Sequence, residues 1–406
     1  MPAQVFQNFS SNAHQYIAAQ TLKRIKRDVI VYGMGKKEKL PNRYSKTFQF
    51  TRFEKLALPY KPLTEGVTPA RSNIQISTVQ AVMDQWGSYI SLSDVAEITA
   101  RHPALQEGIR LLAEQATETI DRECIKLLMS NTSVNYPGSA SSRATLATTD
   151  YLTTTVVKEN VAALRRNGAH PIQGRLFVGL MDPSVEMDLV EDSTFVNAAS
   201  YSNIVALFNG EAGRWMGVRW MVSNLIPTMS RLADVTTAAT TGGSLANSTT
   251  YHLQVVANDN ALGFDVASTQ NQTQATGAGD TRVNVTVPAT VGRTYKVYFG
   301  SSAATMYLVA DEVAPGTVVS IDDVPASGEV PPAFPNTGVE VHYVWCMGME
   351  AFAVPELMSL QTFLTPATAS DSDPLVQRRK ASWKVMFKPV ICNEAFIERI
   401  ECASRY

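Results

Sequence analysis

The sequence predicts an α+β protein interrupted by an inserted all-β domain, and three observations carry that prediction. In "HPALQEGIRLLAEQATETIDRECIKLLMSN", Leu105, Ile109, Leu112, Ala116, Ile120, Cys124 and Leu127 recur three or four residues apart, which sets them on one face of a long helix. Residues 229–338 lack any helical period and instead carry short alternating runs separated by turn residues. The first seventy residues combine a basic arm with strand-like runs that have almost nothing apolar to bury.

Composition sets the bounds on function. At 406 residues, 45% apolar and 18% charged, the chain has ordinary globular composition and length for two or three domains. A formal charge of -2 and a pI near 6.3 argue against a dedicated nucleic-acid binder, whose contact face would push the balance to the basic side. No run of about 18 apolar residues is present, so no membrane partner is expected. The start "MPAQVFQNFSSN" lacks a basic region followed by an apolar one, so the chain is expected to stay in the cytosol where it is made. Cys124, Cys346, Cys392 and Cys402 include no CxxC pair and no His at ligand spacing, which makes them small buried hydrophobes rather than a disulfide framework or a metal site.

Charge is segmented along the chain. Residues 1–61 hold twelve Lys or Arg against three Asp or Glu, whereas residues 229–338 hold four against nine. The two segments are expected to meet different surfaces.

Read in order, residues 1–27 form an N-terminal arm, with a short helix expected near 13–25. Residues 28–70 form an extended hairpin loop, in which DVIVY and SKTFQF are the expected strands and the Gly/Lys/Pro-rich segment between them the tip. Such a hairpin is marginal alone in water and must lie on its own domain or on a neighbour. Within "PLTEGVTP", Pro62 and Pro69 fix backbone angles, Gly66 permits an angle other residues avoid, and Glu65 is free to pair with a basic neighbour.

Residues 71–149 follow, with strands over 74–83 and 89–92 and the long helix. Ser91 and Asp94 read as a capping-box-like start, and Pro103 opens the second helical run. From Pro103 to Met129 that helix would measure about 40 Å at 1.5 Å per residue, which makes it a spine.

Residues 150–228 together with 339–406 read as one α/β piece. A helix covers about 153–167 and stops at Gly168, the strand "GRLFVGLM" follows, and "DPSVEMDLV" opens a second helix with Asp182 as N-cap and Pro183 at its first position. "GRWMGVRWMVSN" supplies a strand pair, and "RRKASWKVMFKPVICNEAFIERIECAS" reads as a closing antiparallel pair. Between these halves, YHLQVV, GFDVAS, RVNVTV, TYKVYF, MYLVAD and TVVSI are the strands of an inserted β-sandwich at residues 229–338. Its two ends are expected to lie close together, because both join the same host piece.

Signals for chemistry are thin. "GMGKK" at 33–37 resembles part of a phosphate loop, but GxxxxGK[ST] is not met and a basic turn is the better reading. The five histidines form no HExxH pair, and "DSDP" at 371–374 is first a turn signature. No catalytic, cofactor-binding or metal residues are nominated, and an enzyme is not expected.

The order of arm, hairpin, "FTRFEKLALPYKPLTEGVTPA", "QWGSYISLSDV", spine helix, α/β piece and "DPLVQRRKASWKV" resembles the major capsid proteins of tailed double-stranded-DNA bacteriophages, as do "PLTEGVTP" and "FNGEAGRWMGVRWM". The resemblance covers everything outside residues 229–338. It implies the capsid fold of the Hong Kong phage type: an N-arm, an extended loop reaching over a neighbour, a peripheral domain on the spine helix, and an axial domain. It implies an icosahedral shell built of hexamers and pentamers of this chain around double-stranded DNA held non-specifically. Portal, scaffolding and decoration proteins are its further partners, in the virion and, before assembly, the host cytoplasm.

On this reading Lys36, Lys37, Lys39, Arg52 and Glu65 are expected at inter-subunit contacts, and Lys23, Arg24, Lys26 and Arg27 form the basic arm. A second, looser resemblance, in "YHLQVVANDNALGFDVAS" and "VGRTYKVYFGSS", is to immunoglobulin-like or fibronectin-like strands. The other readings are a non-viral compartment shell of the same fold and a phage tail or adhesion protein.

Overall fold

The computed structural model describes residues 30–41, 45–58, 61–63, 65–66, 68, 71–95, 104–172, 174, 176–191, 214–364, 375 and 377–406. The N-terminal arm, Pro69, Pro103 and the DSDP turn lie outside these residues. Two compact units result, one from 1–129 with 350–394 and the other from 130–349 with 395–406.

The chain begins with a 3-10 turn at Val31–Gly33 and the strands β1 (Lys36–Lys39), β2 (Thr47–Phe53), β3 (Ile76–Val82) and β4 (Asp84–Ser93), followed by helix α1 (Ala104–Met129). Then come β5 (Val134–Asn135), α2 (Thr154–Arg166), β6 (Phe177–Met181), α3 (Pro183–Glu191), β7 (Arg214–Trp215) and β8 (Val218–Val222). The region 229–338 adds β9 (Ser230–Arg231), β10 (Thr236–Thr240), β11 (Thr250–Asp259), β12 (Phe264–Ser268), β13 (Gln272–Ala275), β14 (Arg282–Thr286), β15 (Arg293–Gly300), β16 (Met306–Val313) and β17 (Val318–Ile321). The chain closes with β18 (His342–Met347), β19 (Phe352–Leu364), β20 (Arg378–Phe387), β21 (Val390–Ile391) and β22 (Ile397–Cys402).

In the first unit α1 covers a sheet of order β1-β19-β20-β4, with β21 on β19. Alternation in β20 buries Ala381, Trp383, Val385 and Phe387, and α1 buries Leu112, Ala116, Ile120, Cys124, Ile125 and Leu128. Each Val, Leu, Ile or Phe side chain among these contributes roughly 1.5–3 kcal/mol when fully buried. The Trp383 indole N–H reaches the Gln115 amide oxygen at 3.2 Å, so the one polar atom of that ring is satisfied. Although 26 residues long, α1 is too charged to enter a membrane, and no helix among the described residues is long and apolar enough to cross one.

Four local expectations are corrected here. In DVIVY the described residues 30–32 are not a strand: their main chain is held by Asp121 of α1 and turns at Val31–Gly33, while residues 28 and 29 lie outside the described residues. The strand expected in SKTFQF is β2, and it pairs forward with β3, from Thr47↔Val82 to Phe53↔Ile76, so residues 54–75 are the hairpin connection. Ser91 caps no helix but lies in β4 opposite Lys380. The closing pair does not pair with itself, since β20 joins β19 and β4 whereas β22 joins β18. For the same reason residues 350–394 cluster with the first unit, although 339–406 reads in sequence as a single piece.

The second unit holds a mixed sheet of order β5-β22-β18-β6-β8-β7. Val157, Val161 and Leu164 of α2 and Val185 and Leu189 of α3 share its core with Phe177, Trp220, Val344 and Ile400. Gly179 sits under the Trp220 ring so closely that a Cβ would meet it at 2.3 Å. Met216 and Gly217 both have positive φ, 50° and 79°, which is the two-residue turn that a tight β7–β8 hairpin requires.

All six strand runs expected in 229–338 form strands. Together with β9, β10 and β13 they make a three-stranded sheet, β10-β14-β17, and a six-stranded one, β16-β15-β11-β12-β9 with β13 on β11. Leu253, Val255, Tyr295, Val297 and Phe299 of one meet Val283, Val285 and Ile321 of the other in one core. The ends of the insertion meet as well: Met229 and Val341 exchange two main-chain hydrogen bonds of 3.0 Å.

Candidate assembly surface

Surface that one subunit cannot cover is concentrated in the β2–β3 hairpin. Among residues 47–53 and 76–82 only Ala81 is buried. Phe53 is 68% exposed, Leu58 76%, Leu63 76%, Ile74 69% and Ile76 56%. Large apolar side chains displayed this way on a two-stranded ribbon mark an interaction surface. A second patch lies at the distal end of β19, where Leu360, Phe363 and Leu364 are exposed. There β19 has run past the end of β1, which pairs with it only from Ala353 to Glu356.

The expected contact residues fall into two groups. Lys36, Lys37 and Lys39 lie together on β1, the edge strand of the first unit's sheet and not the tip of a hairpin. Lys36 donates to Glu350 at 2.9 Å, and that bond holds its ammonium above the ordinary lysine range. The Lys37 ammonium lies 4.0 Å from the centre of the Tyr32 ring, a favourable cation–π distance. Lys39 is exposed opposite Glu356.

Arg52, on β2, donates from Nε and Nη2 to Glu54 at 3.1 and 2.9 Å. The Ser77 hydroxyl bonds the same oxygen at 2.6 Å, and with Arg52 it lowers the Glu54 pKa. Glu65 is exposed in the turn that Gly66 makes at φ 77°. Lys23, Arg24, Lys26 and Arg27 lie outside the described residues.

What anchors the entry into β1 was not among the expected residues. Asp121, on α1 and fully buried, accepts the main-chain N–H of Ile30 at 2.9 Å and of Tyr32 at 2.6 Å. Burial raises its pKa, and the two main-chain bonds oppose that rise. The Tyr32 hydroxyl donates to Glu356 of β19. Burial and that carboxylate both push the phenol upward, so Tyr32 is a hydrogen-bond donor and not a nucleophile at neutral pH. A cleft of about 510 Å³ beside it is bordered by Lys37, Ile120, Glu356 and Leu360. Cys124, Cys346 and Cys402 are buried and Cys392 half-buried, and burial pushes the Cys346 thiol up to about 12.

Residues 76–258 match the family model described as phage capsid protein, a little under half of the chain. No curated protein matches the sequence. Among solved structures, the chain is similar to the capsid subunit of cyanophage Pam1, with 11% identity, a TM-score of 0.56 and 97% of each chain covered. It is similar to that of the Helicobacter pylori bacteriophage KHP30, with 8% identity, a TM-score of 0.55 and 99% of each chain covered. Cyanophage P-SCSP1u gives 12% identity and a TM-score of 0.54 over 97% of this chain and 94% of that one. At these identities the likeness is one of fold, and it runs the length of the molecule. The chain has the tailed-phage capsid fold of the Hong Kong phage type, and its segment 76–258 is similar to the phage capsid protein family.

Proposed function

We propose that this chain is the major capsid protein of a tailed phage and self-assembles into the icosahedral shell that encloses its double-stranded DNA. The observation that carries this is the β2–β3 hairpin, whose apolar side chains have no cover within their own subunit, in a chain with the capsid fold from end to end. Head-to-tail contacts of such a surface close into rings and shells. The role is structural rather than catalytic.

The finer reading assigns parts to elements. The hairpin is the extended loop that reaches a neighbour in a hexamer or pentamer, α1 is the spine, and the sheet around β18 is the axial domain. Lys23, Arg24, Lys26 and Arg27 pair with acidic residues of a neighbour, because a shell that gripped DNA tightly would hinder its packaging and release. The insertion has immunoglobulin-like architecture and faces outward, since its acidic balance is unsuited to a position against dense DNA. Portal, scaffolding and decoration proteins complete the virion, which forms in the host cytoplasm.

The test is assembly of the purified chain. Light scattering and electron microscopy should show capsomers or closed shells as concentration rises. Compact monomers at every concentration would overturn the reading.

A further inference from the structure

A buried pair, His342 with Asp182, lies at the root of the insertion, and shell formation as described makes no use of it. His342 opens β18 directly after Val341, the residue that bonds Met229 where the insertion leaves the host sheet. Asp182 lies between β6 and Pro183, the first residue of α3. His342 Nδ1 and Asp182 Oδ2 are 2.8 Å apart, and the two side chains are 4% and 5% exposed. The second carboxylate oxygen, Asp182 Oδ1, is buried without a hydrogen-bond partner.

The charged groups that face His342 from the packed elements are acids. From α3 comes Asp188, buried, whose two oxygens accept the Arg405 main-chain N–H at 3.3 Å. From the strand entry comes Glu340, exposed and bonded by the Thr228 hydroxyl. On β22 the Cys402 thiol, close to Asp182 and Asp188, is held neutral by burial. The Arg405 guanidinium is engaged elsewhere, with Glu191 at 3.2 Å and over the Tyr151 ring at 3.8 Å.

A buried carboxylate with one orphan oxygen is costly unless a cation sits beside it. Here the imidazolium is that cation. We propose that His342–Asp182 is a proton-operated clamp fastening the root of the insertion to the first turn of α3, closed when His342 is protonated and loosened when it is neutral.

Burial alone would lower the His342 pKa, but the Asp182 hydrogen bond and the surrounding acids hold it above 6.5. The stabilisation is therefore complete below about 6.5, the value of an exposed histidine, and is lost as pH rises through the folded value.

Hydrogen–deuterium exchange on the full chain at about pH 6 and about pH 8.5, corrected for intrinsic rates, tests the clamp across the histidine window. Amides of 182–186, 229–231 and 341–343 should lose protection by about tenfold at the higher pH, while β15 inside the insertion keeps its own. His342→Gln should show the low protection at both pH values. NMR titration of the unmodified chain should place His342 above 6.5, and Asp182→Asn should bring it down. Equal protection of the root at both pH values, or a wild-type His342 titrating at or below the exposed value, overturns the proposal even if a variant fails to fold.

Discussion

Asp121 shows what one residue does for the entry into β1. Its carboxylate holds the two main-chain N–H groups that start the described chain, so everything from Ile30 into β1 depends on a helix residue ninety positions away. Asp121→Ala leaves both donors without their acceptor, at about 1–3 kcal/mol for each that stays buried. Chemical denaturation should show that loss in the midpoint, and limited proteolysis should cut earlier near 30–35. Lys36→Ala removes exposed ion pairs with Glu350 and Glu38 and should shift stability by less than about 1 kcal/mol. A loss as large as that of Asp121→Ala would overturn this ranking. The sequence gives no warning of Asp121, because it stands beside Ile120 and Cys124 in the apolar stripe and looks like an ordinary break in it. His342 and Asp182 were equally hidden: Asp182 reads as an N-cap, and its true partner lies 160 residues further on.

At the scale of elements, the hairpin decides between folding and assembly. Replacing Phe53, Leu58 and Ile76 by Ser removes apolar area that the subunit itself does not bury. The monomer should keep its helix content and denaturation midpoint. Assembly should require at least about a hundredfold more protein or fail, since each of the three side chains desolvated at a contact contributes on the order of 1–2 kcal/mol and each 1.4 kcal/mol is about tenfold. Particles that form at wild-type concentration and melt at the wild-type temperature would sink the assignment. Deleting 33–40 is a different experiment: it removes β1, the edge strand paired with β19, and should destabilise the monomer. The sequence made the hairpin legible as an extended, poorly buried element but misplaced it. KKEK has no apolar alternation to announce a strand, and its parallel partner β19 lies far along the chain, where local pattern carries no pairing information. The spine helix was legible because its period is local; Leu112, Ala116, Ile120 and Cys124 of the expected stripe are buried, while Ile109 is exposed.

For the whole molecule, we propose that the region 229–338 is removable, although it clusters in one unit with the sheet around β18. Its composition shift and six alternating runs made it legible in sequence, whereas the division of 350–406 between two units depended on the pairing of β20 with β4 and was not. The insertion has a core of its own, with Tyr251 stacked on Phe299 at 5.1 Å, and it leaves and rejoins the host at one bridge, Met229 with Val341. A short Gly/Ser linker in place of residues 231–336 can therefore span the gap without moving the host sheet. To the host it forfeits the bond of Asn336 N–H to the Ala144 carbonyl at 3.0 Å, at the stubs it loses those of Gly338 N–H to Pro335 at 2.9 Å and of the Ser230 hydroxyl to Val266 at 3.2 Å, and the linker also disturbs the neighbouring Thr337 hydroxyl bond to Leu146 at 2.6 Å. These are worth about 0.5–1.5 kcal/mol each, small against a domain's stability of about 5–15 kcal/mol. The shortened chain should fold, as circular dichroism would report, and should still close into particles that are smoother in outline under the microscope. A soluble, folded subunit that forms no shells would show instead that the insertion takes part in the contacts between subunits. Antibodies raised against the insertion and unable to bind intact particles would place it away from the outer surface.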